Sequence, residues 1–280
     1  MEQIEVMPVV NLLREKLAAG SVTSSMIVRL SRGAEIARIA RSAGFDALYV
    51  DLEHSGLTLD TTGQICTSAA DLGVTPLVRV PGLFPELIGQ VLDVGALGVI
   101  IPGVETAAQA RLAAESARFA PLGRRSVSSV LPQLQYRTMP NRLGLDWVNA
   151  QMLVAVMVES PASVANIDDI AAVSGIDLLH IGLHDLTASF GYARRPSDET
   201  VLEILAPVFA SAARHGKWVG IGGLGSSRGL LTALLRHGVR FVSAGTDLGF
   251  LLSAATESAA FVRGLGGSFA DNLREPRHVT

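Results

Sequence analysis

Residues 155–191, AVMVESPASVANIDDIAAVSGIDLLHIGLHDLTASFG, contain the pattern that decides the fold. Two short apolar runs, 154–158 and 177–181, flank a stretch with helical spacing, as a strand, helix, strand unit requires. Such a unit sets its two strands parallel, so the residues that follow them emerge at one edge of the sheet. Glu159 and Asp185 follow the two runs, and converging carboxylates suit a divalent cation. The alternative is that one acid caps the next helix and the other forms an ion pair.

The same alternation of apolar runs and helical stretches extends along the chain in both directions. The runs that resemble buried strands are 22–30, 47–50, 76–81, 98–102, 154–159, 178–182, 217–223 and 241–245. Eight strands, each with a helix behind it, predict an α/β fold of the TIM (β/α)₈ barrel type, which typically takes about 250 residues. We therefore expect residues 1–280 to form a single barrel domain, with a polar carboxy-terminal tail from about residue 264.

Composition excludes several classes of function. The hydrophobic share is 49%, the aromatic share is only 5%, and the net charge of −3 comes without a dense Lys/Arg stripe, so nucleic acid is not an expected partner. The amino terminus lacks the pattern of a signal peptide, and no apolar run reaches the roughly 18 residues of a membrane span. The single cysteine, Cys66, fits a reducing compartment. These features predict a cytoplasmic protein.

Two segments depart from the regular alternation of strands and helices. Residues 123–146 form a polar, Pro-containing segment that is long for a connection, and we expect it to influence substrate selectivity. Residues 221–227, IGGLGSS, invite a phosphate-loop interpretation because barrels often bind phosphate after strands seven and eight. Glycines in such a loop also serve tight turns, and a lone glycine run is weak support.

Chemistry in a barrel of this type sits at the carboxyl ends of the strands, where three further side chains fall, those of Asp51, His54 and Arg79. Arg79 lies on a buried strand, where its charge is costly unless it meets an anion or an acid. It is suited to a carboxylate or a developing oxyanion, and the alternative is an ion pair with Glu53 or Glu105. His54 can transfer a proton near neutral pH, although a loop histidine bonded to backbone is an equal interpretation. Asp93 could orient His54 only if the fold carries it under the site.

The turn Gly182-Leu183-His184-Asp185 offers backbone N–H groups between a strand and a helix, which is a suitable cradle for a substrate carboxylate. His184 itself either supports that cradle or is merely exposed. For the cation at Glu159 and Asp185, the donor type favours Mg²⁺, Mn²⁺ or Co²⁺ over structural Zn²⁺, which prefers Cys and His.

Taken together, these motifs resemble the HpcH/HpaI-type class II pyruvate aldolases, the family that includes 4-hydroxy-2-oxoheptane-1,7-dioate aldolase and the 2-dehydro-3-deoxy-glucarate aldolases. The resemblance covers nearly the whole chain. It rests on AGFDALYVDLEHSG (43–56), PLVRVPG (76–82), VLDVGALGVIIPGVETAAQAR (91–111), residues 158–191 and AGTDLGFL (244–251).

The resemblance implies a barrel in which Glu159 and Asp185 hold the cation and the cation binds a 2-oxo acid. It places Arg79 on the enolate oxygen, pairs His54 with Asp93 for proton transfer, and uses the 182–185 turn for the substrate carboxylate. The implied reaction is reversible cleavage of a 4-hydroxy-2-oxo acid into pyruvate, or a close relative such as hydroxypyruvate, and an aldehyde. It also implies a homo-oligomer, a trimer or a hexamer.

Two departures from the family pattern bear on the substrate. Leu183 and His184 stand where the family commonly has Pro-Ala or Pro-Asn, and Arg125-Ser126 stands where it has an Arg-Gly pair. The substrate is therefore expected to differ from the familiar diacid. A Schiff-base mechanism is not expected, because no lysine occurs between Lys16 and Lys217.

Three other functions compete with this interpretation. The first is a lyase acting on malyl- or citramalyl-CoA, for which a basic rim and a longer carboxy-terminal domain would be expected. The second is a phosphate-binding barrel isomerase that uses the 221–227 loop. The third is a non-catalytic binding barrel, which would tolerate loss of Glu159.

Overall fold

Eight parallel strands pair in chain order and close into a barrel in this computed structural model, which describes residues 8–128, 130–137, 141–225 and 227–272. The strands are β1 (Thr23–Val28), β2 (Ala47–Asp51), β3 (Thr75–Arg79), β4 (Gly98–Ile101), β5 (Leu153–Val158), β6 (Leu178–Gly182), β7 (Trp218–Gly222) and β8 (Val239–Thr246). Pairing of β1 with β8 closes the ring. The predicted TIM barrel is confirmed, and each predicted strand is present within a few residues of its expected bounds.

Ten helices, α2 to α11, connect successive strands, while α1 precedes the first strand and α12 follows the last one within the described residues. They are α1 (Leu12–Ala18), α2 (Glu35–Ser42), α3 (Leu59–Asp71), α4 (Pro85–Asp93), α5 (Ala107–Ala117), α6 (Asn141–Gln151), α7 (Pro161–Ala165), α8 (Ile167–Ala171), α9 (Leu183–Ser189), α10 (Asp198–His215), α11 (Arg228–Arg236) and α12 (Asp247–Asn272). The polar segment 123–146 is less irregular than the sequence suggests, because it contains a 3₁₀ helix, Pro132–Leu134, and the beginning of α6. Thr106 caps α5, because its side chain accepts a hydrogen bond from the backbone N–H of Gln109.

Apolar side chains form two separate layers. The larger layer lies between the strands and the surrounding helices, which is why the strands read as continuous apolar runs. The second layer fills the barrel interior, where Tyr49 and Phe241 are among the largest buried side chains. Leu13 and Leu17 of α1 belong to this inner layer. The amino-terminal helix therefore packs against the inside of the barrel.

The last helix, α12, is long and exposes apolar side chains. Leu251, Leu252, Phe261 and Val262 are each at least 60% exposed. The helix runs through the first part of the segment predicted as a tail, and residues 273–280 lie outside the described part of the chain. Within the described residues, no helix is long and apolar enough to span a membrane.

A histidine side chain lies in the barrel interior, and it occupies the space that side chains at two positions of the neighbouring strand would need. His180 of β6 is buried and packs between Tyr49 and Phe241, with ring centroids 5.8 and 5.6 Å away. A Cβ atom added to Gly220 of β7 would lie 2.6 Å from His180 Nδ1. Added to Gly222, it would lie 3.4 Å from His180 Nε2. These glycines make room for the imidazole.

Replacing Gly220 by alanine is expected to lower the free energy of unfolding by about 1–3 kcal/mol, because the added methyl group overpacks the interior. Chemical denaturation measures the change. Gly89→Ala is the matched control, since nothing lies within 4 Å of a Cβ added there in α4. That variant should match or exceed wild-type stability by up to about 1 kcal/mol. Wild-type stability of Gly220→Ala would contradict the packing explanation.

The neutrality of His180 predicts a pH dependence of stability. Burial, with a smaller contribution from the charge of Arg79, lowers the pKa of His180 from 6.5 to about 3. Between these values the unfolded chain binds a proton that the folded chain does not, so stability falls as the pH falls through this window. The decline from this residue is up to about 1.4 kcal/mol per pH unit.

Urea denaturation of wild type and His180→Gln at pH 7, 5.5 and 4.5 checks this expectation. The variant should show a shallower decline with falling pH. The control is His237→Gln, which changes an exposed histidine and should keep the wild-type slope. Equal slopes for wild type and His180→Gln would show that His180 does not resist protonation.

Candidate active site

An ion pair between two adjacent strand ends organises the mouth of the barrel. Asp51 is the last residue of β2, Arg79 is the last residue of β3, and the two are paired in register. Arg79 Nε donates to Asp51 Oδ1 at 2.9 Å, and Arg79 Nη2 donates to Oδ2 at 2.6 Å. Both side chains are buried. This two-point contact fixes the plane of the guanidinium group.

Further charges extend this pair on both sides. Arg29 Nε donates to Asp51 Oδ2 at 2.6 Å, and Arg79 Nη1 lies 2.7 Å from Glu53 Oε2. Burial opposes ionisation of Asp51, but the hydrogen bonds from Arg79 and Arg29 outweigh it and hold the pKa of this carboxyl below its ordinary value. The two arginines therefore favour the ionised form of Asp51. The Tyr49 ring lies 5.5 Å from the guanidinium carbon of Arg79.

Glu159 and Asp185 lie on the wall of one cavity, as the sequence predicts. Glu159 directly follows β5, and Asp185 lies in the first turn of α9, directly after β6. The cavity has a volume of about 360 Å³ and also includes Glu53 and His54. We call it the acidic cavity. Glu159 Oε1 accepts a hydrogen bond from the backbone N–H of Gly103 at 2.7 Å.

The electrostatics of the acidic cavity suit a divalent cation. Burial raises the pKa of Glu159, and the nearby charges of Glu53 and Asp185 raise it further, while the Gly103 hydrogen bond opposes the change. These carboxylates repel one another, so a bound cation would relieve the cost of holding them together. Oxygen donors of this type fit Mg²⁺ or Mn²⁺. Among the described residues, no group of three or more His, Cys, Asp and Glu side chains is arranged so that it could hold a metal ion by itself. Ligands beyond Glu159 and Asp185 would come from substrate or water.

The structure gives His54 and Asp93 different partners. His54 lines the acidic cavity, is half exposed, and has its Nε2 atom 3.5 Å from Glu53 Oε2. Asp93, at the end of α4, accepts a hydrogen bond from Arg125 Nη2 at 2.6 Å and lines another cavity, of about 420 Å³. The sequence-based pairing of His54 with Asp93 stays a prediction. Within one chain the carboxylate beside His54 belongs to Glu53.

Arg125, in the segment after residue 123, lies at a cavity other than the acidic cavity. It is buried, its guanidinium carbon lies 4.5 Å from the centre of the Phe119 ring, and its Nη2 binds Asp93. Arg125 and Ser126 line the same 420 Å³ cavity as Asp93. Arg125 therefore contacts α4 through Asp93, and neither residue 125 nor residue 126 lines the acidic cavity.

The turn from Gly182 to Asp185 separates two cavities. Asp185 lines the acidic cavity, whereas His184 lines a cavity of about 630 Å³ between the ends of β7, β8 and β1. Leu183 is buried beneath the turn. Gly223 packs against His184, because a Cβ added to it would lie 3.1 Å from the His184 backbone nitrogen. The turn therefore joins the predicted cation site to the glycine loop after β7.

The environment of Arg79 agrees in part with each of the two sequence-based interpretations of this residue. Its burial at the barrel mouth agrees with the prediction, and its ion pair with Glu53 agrees with the alternative. The other proposed partner, Glu105, instead accepts a hydrogen bond from Ser160 Oγ at 2.6 Å. The sequence places Asp51 at this edge of the barrel but predicts no role for it, and it predicts nothing for Arg29. The signal for Asp51 was available, since it ends a strand whose neighbour ends in Arg79.

Comparisons with known proteins agree on one family. The model of the HpcH/HpaI aldolase/citrate lyase family matches residues 24–254. The 4-hydroxy-4-methyl-2-oxoglutarate aldolase of Hapsidospora irregularis is 37% identical over 257 residues, which cover 90% of this chain and 94% of that protein. A 4-hydroxy-4-methyl-2-oxoglutarate aldolase of Chaetomium globosum is 36% identical over 252 residues, which cover 88% and 93%.

The similarity extends to three-dimensional structure. The crystal structure of an HpcH/HpaI aldolase from Desulfitobacterium hafniense DCB-2 superposes with a TM-score of 0.84 at 26% identity. The superposition covers 90% of this chain and 96% of that chain. Sequence and fold therefore point to the same group of proteins.

Proposed function

This chain belongs to the HpcH/HpaI aldolase/citrate lyase family, and we propose that it is a carbon–carbon lyase that reversibly cleaves a 4-hydroxy-2-oxo acid into pyruvate, or hydroxypyruvate, and an aldehyde. One observation carries the proposal. The acidic cavity with Glu159 and Asp185 lies at the same barrel mouth as Arg79, and Glu53 belongs to the cavity and to the Arg79 ion pair. A pair of carboxylates that could hold a metal ion, together with the positively charged guanidinium group of Arg79, suits the formation and stabilisation of an enolate.

The reaction requires a base, a place for negative charge and a binding site for the 2-oxo acid. Removal of the proton from the 4-hydroxyl group breaks the bond between carbons 3 and 4, which releases the aldehyde and leaves an enolate. A proton then returns to carbon 3 to give pyruvate. A divalent cation, Mg²⁺, Mn²⁺ or Co²⁺, held by Glu159 and Asp185 would supply Lewis acidity to the 2-oxo acid.

The chain's own residues supply the other parts. Arg79 stabilises the negative charge that develops on the carbon-2 oxygen, and Asp51 fixes the guanidinium group for this task. His54 moves the proton between the 4-hydroxyl group and water, with Glu53 as the neighbouring carboxylate in a single chain. A role for Asp93 in orienting His54 remains a prediction. The backbone of the Gly182–Asp185 turn, with Leu183 and His184, binds the substrate carboxylate.

The proposal is tested by pyruvate release from a 4-hydroxy-2-oxo acid after removal of metal with a chelator. The two fungal relatives are named for 4-hydroxy-4-methyl-2-oxoglutarate, so this compound is the first substrate to test. Its carbon 4 carries a methyl and a carboxyl group, so its cleavage releases a second pyruvate in place of an aldehyde. We expect activity to disappear on chelation and to return on addition of Mg²⁺, Mn²⁺ or Co²⁺. Undiminished activity in the stripped enzyme would contradict the metal mechanism, and inactivity on every 4-hydroxy-2-oxo acid would contradict the reaction.

We further propose that residues 1–280 act as one domain within a cytoplasmic homo-oligomer, a trimer or hexamer. The exposed apolar side chains of α12 support assembly, since contiguous exposed apolar surface commonly marks an interface. The buried, single Cys66 supports a reducing compartment. Light scattering after size-exclusion chromatography tests the assembly, and a monomeric mass at micromolar concentration would contradict it.

A further inference from the structure

Three aromatic side chains, those of Tyr49, His180 and Phe241, form a column in the barrel interior directly beneath the mouth. We propose that Tyr49 and His180 are positioning residues, which hold the guanidinium group of Arg79 in place for stabilising the enolate. This inference rests on the proposed function, in which Arg79 meets the developing negative charge. We call the three side chains the aromatic column.

The polar partners of Arg79 leave its position toward the barrel interior to packing. Nε and Nη2 donate to Asp51, and Nη1 lies 2.7 Å from Glu53 Oε2. The sulfur of Met157, 3.9 Å from Nη1, is a weaker partner. The guanidinium carbon also lies over the face of the Tyr49 ring, 5.5 Å from its centre, which is within the range of a cation–π contact. Tyr49 therefore supports the cation from below.

Tyr49 lies one layer below the ion pair of Asp51 and Arg79. It precedes Asp51 by two residues on β2, so both side chains point to the same face of that strand. Burial raises the pKa of Tyr49 well above its ordinary value, although the charge of Arg79 opposes the change, so the ring stays neutral. Its hydroxyl makes no hydrogen bond to a described residue. The ring, rather than the hydroxyl group, is what Tyr49 offers to Arg79.

His180 packs against Tyr49 from the opposite wall of the barrel. Three strands separate β2 from β6 in either direction around the ring, so the two side chains meet across the barrel axis. Their ring planes cross at 63°, an edge-to-face arrangement that favours aromatic pairs. Behind the imidazole lie Phe241, which is fully buried, and the backbone of Gly220. Movement of Tyr49 away from Arg79 therefore requires His180 to move as well.

The part that His180 plays in the column is packing rather than proton transfer. Its Nδ1 atom is buried and has no hydrogen-bond partner among the described residues. Burial, together with the charge of Arg79, lowers the pKa of His180 to about 3, so the imidazole is neutral near pH 7. A phenylalanine in its place would keep a ring against Tyr49 and would lose no hydrogen bond to a described residue.

Replacement of Tyr49 by leucine tests the inference. We expect kcat for pyruvate release to fall about 5- to 30-fold, as loss of a desolvated cation–π contact predicts. KM should stay within about twofold of wild type, because Arg79 acts on charge that develops only in the transition state. Tyr49→Phe keeps the ring and should retain the wild-type kcat. His180→Ala should lose less than Tyr49→Leu, and His180→Phe should recover the loss.

Coupling to Arg79 separates positioning from a general loss of stability. In an Arg79→Ala background, Tyr49→Leu should lower kcat no further, because the group that it positions is gone. Trp218→Leu is the matched control. The Arg14 guanidinium carbon lies 5.3 Å from the Trp218 ring centre, but Trp218 is the first residue of β7, at the end of the barrel away from the mouth. This variant should keep the wild-type kcat per folded molecule.

The possible outcomes separate the two proposals. A wild-type kcat in Tyr49→Leu, an equal loss in Tyr49→Phe, or the same fold loss in the Arg79→Ala background overturns this inference and leaves the lyase proposal intact. If Tyr49→Leu does not fold, Tyr49→Met gives the same test with an unbranched side chain. A wild-type kcat in His180→Ala overturns the role of His180. Inactivity of the wild type on every 4-hydroxy-2-oxo acid overturns both proposals.

Discussion

Replacing Arg79 by alanine is expected to lower kcat for pyruvate release about 10²- to 10³-fold, the usual cost of removing one oxyanion-stabilising donor. The guanidinium group is buried and its rotation is restricted, because Asp51 binds it at two points. It also forms an ion pair with Glu53, which lines the acidic cavity. Arg79→Lys keeps the charge but loses the planar fork, so an intermediate loss is expected. Steady-state kinetics with saturating metal measures the effect.

Arg118→Ala separates this catalytic effect from simple loss of a buried charge. Arg118 is also buried and donates from Nη2 to Asp177 Oδ2 at 2.8 Å, but Asp177 precedes β6 and lies at the opposite end of the barrel. Both alanine variants are expected to unfold more easily, since breaking a buried pair costs about 3–5 kcal/mol. Only Arg79→Ala should lose turnover per folded molecule. A wild-type kcat in that variant would show that Arg79 has a structural role alone.

Replacing Glu159 by glutamine should weaken Mn²⁺ binding more than about 100-fold, because loss of even an outer partner of a metal ligand costs 10–100-fold. The substitution keeps the side-chain shape and the Gly103 contact while removing the charge. Activity at limiting metal should fall in parallel. Isothermal titration with Mn²⁺ measures binding without relying on turnover.

Glu203→Gln is the matched control for Glu159→Gln, because Glu203 is exposed on α10. It should bind Mn²⁺ as the wild type does. Removing the charge of Glu159 should also relieve its repulsion with Asp185 in the metal-free protein. Unchanged Mn²⁺ affinity in Glu159→Gln would place the cation elsewhere.

The fold was predicted from the strand and helix segments, because in each of these the burial of apolar side chains determines the sequence pattern. A parallel strand buried on both faces must be a short apolar run, and the following helix must show helical spacing. This regularity predicted eight strands, and it put Glu159, Asp185 and Arg79 at one end of the barrel, where the structure also places them. The polar segment 123–146 was harder to interpret, because its short helical pieces carry little periodicity.

The sequence by itself determined the barrel and the edge at which its polar residues gather, since both follow from local periodicity. Only the tertiary structure decided which of those residues meet. Closure of β8 onto β1 brings Arg29 to Asp247, and strand register sets Asp51 against Arg79. Tertiary packing likewise brings Asp93 into an ion pair with Arg125. Such contacts join residues far apart in the chain, so their partners depend on register and closure, which no spacing within a single segment encodes.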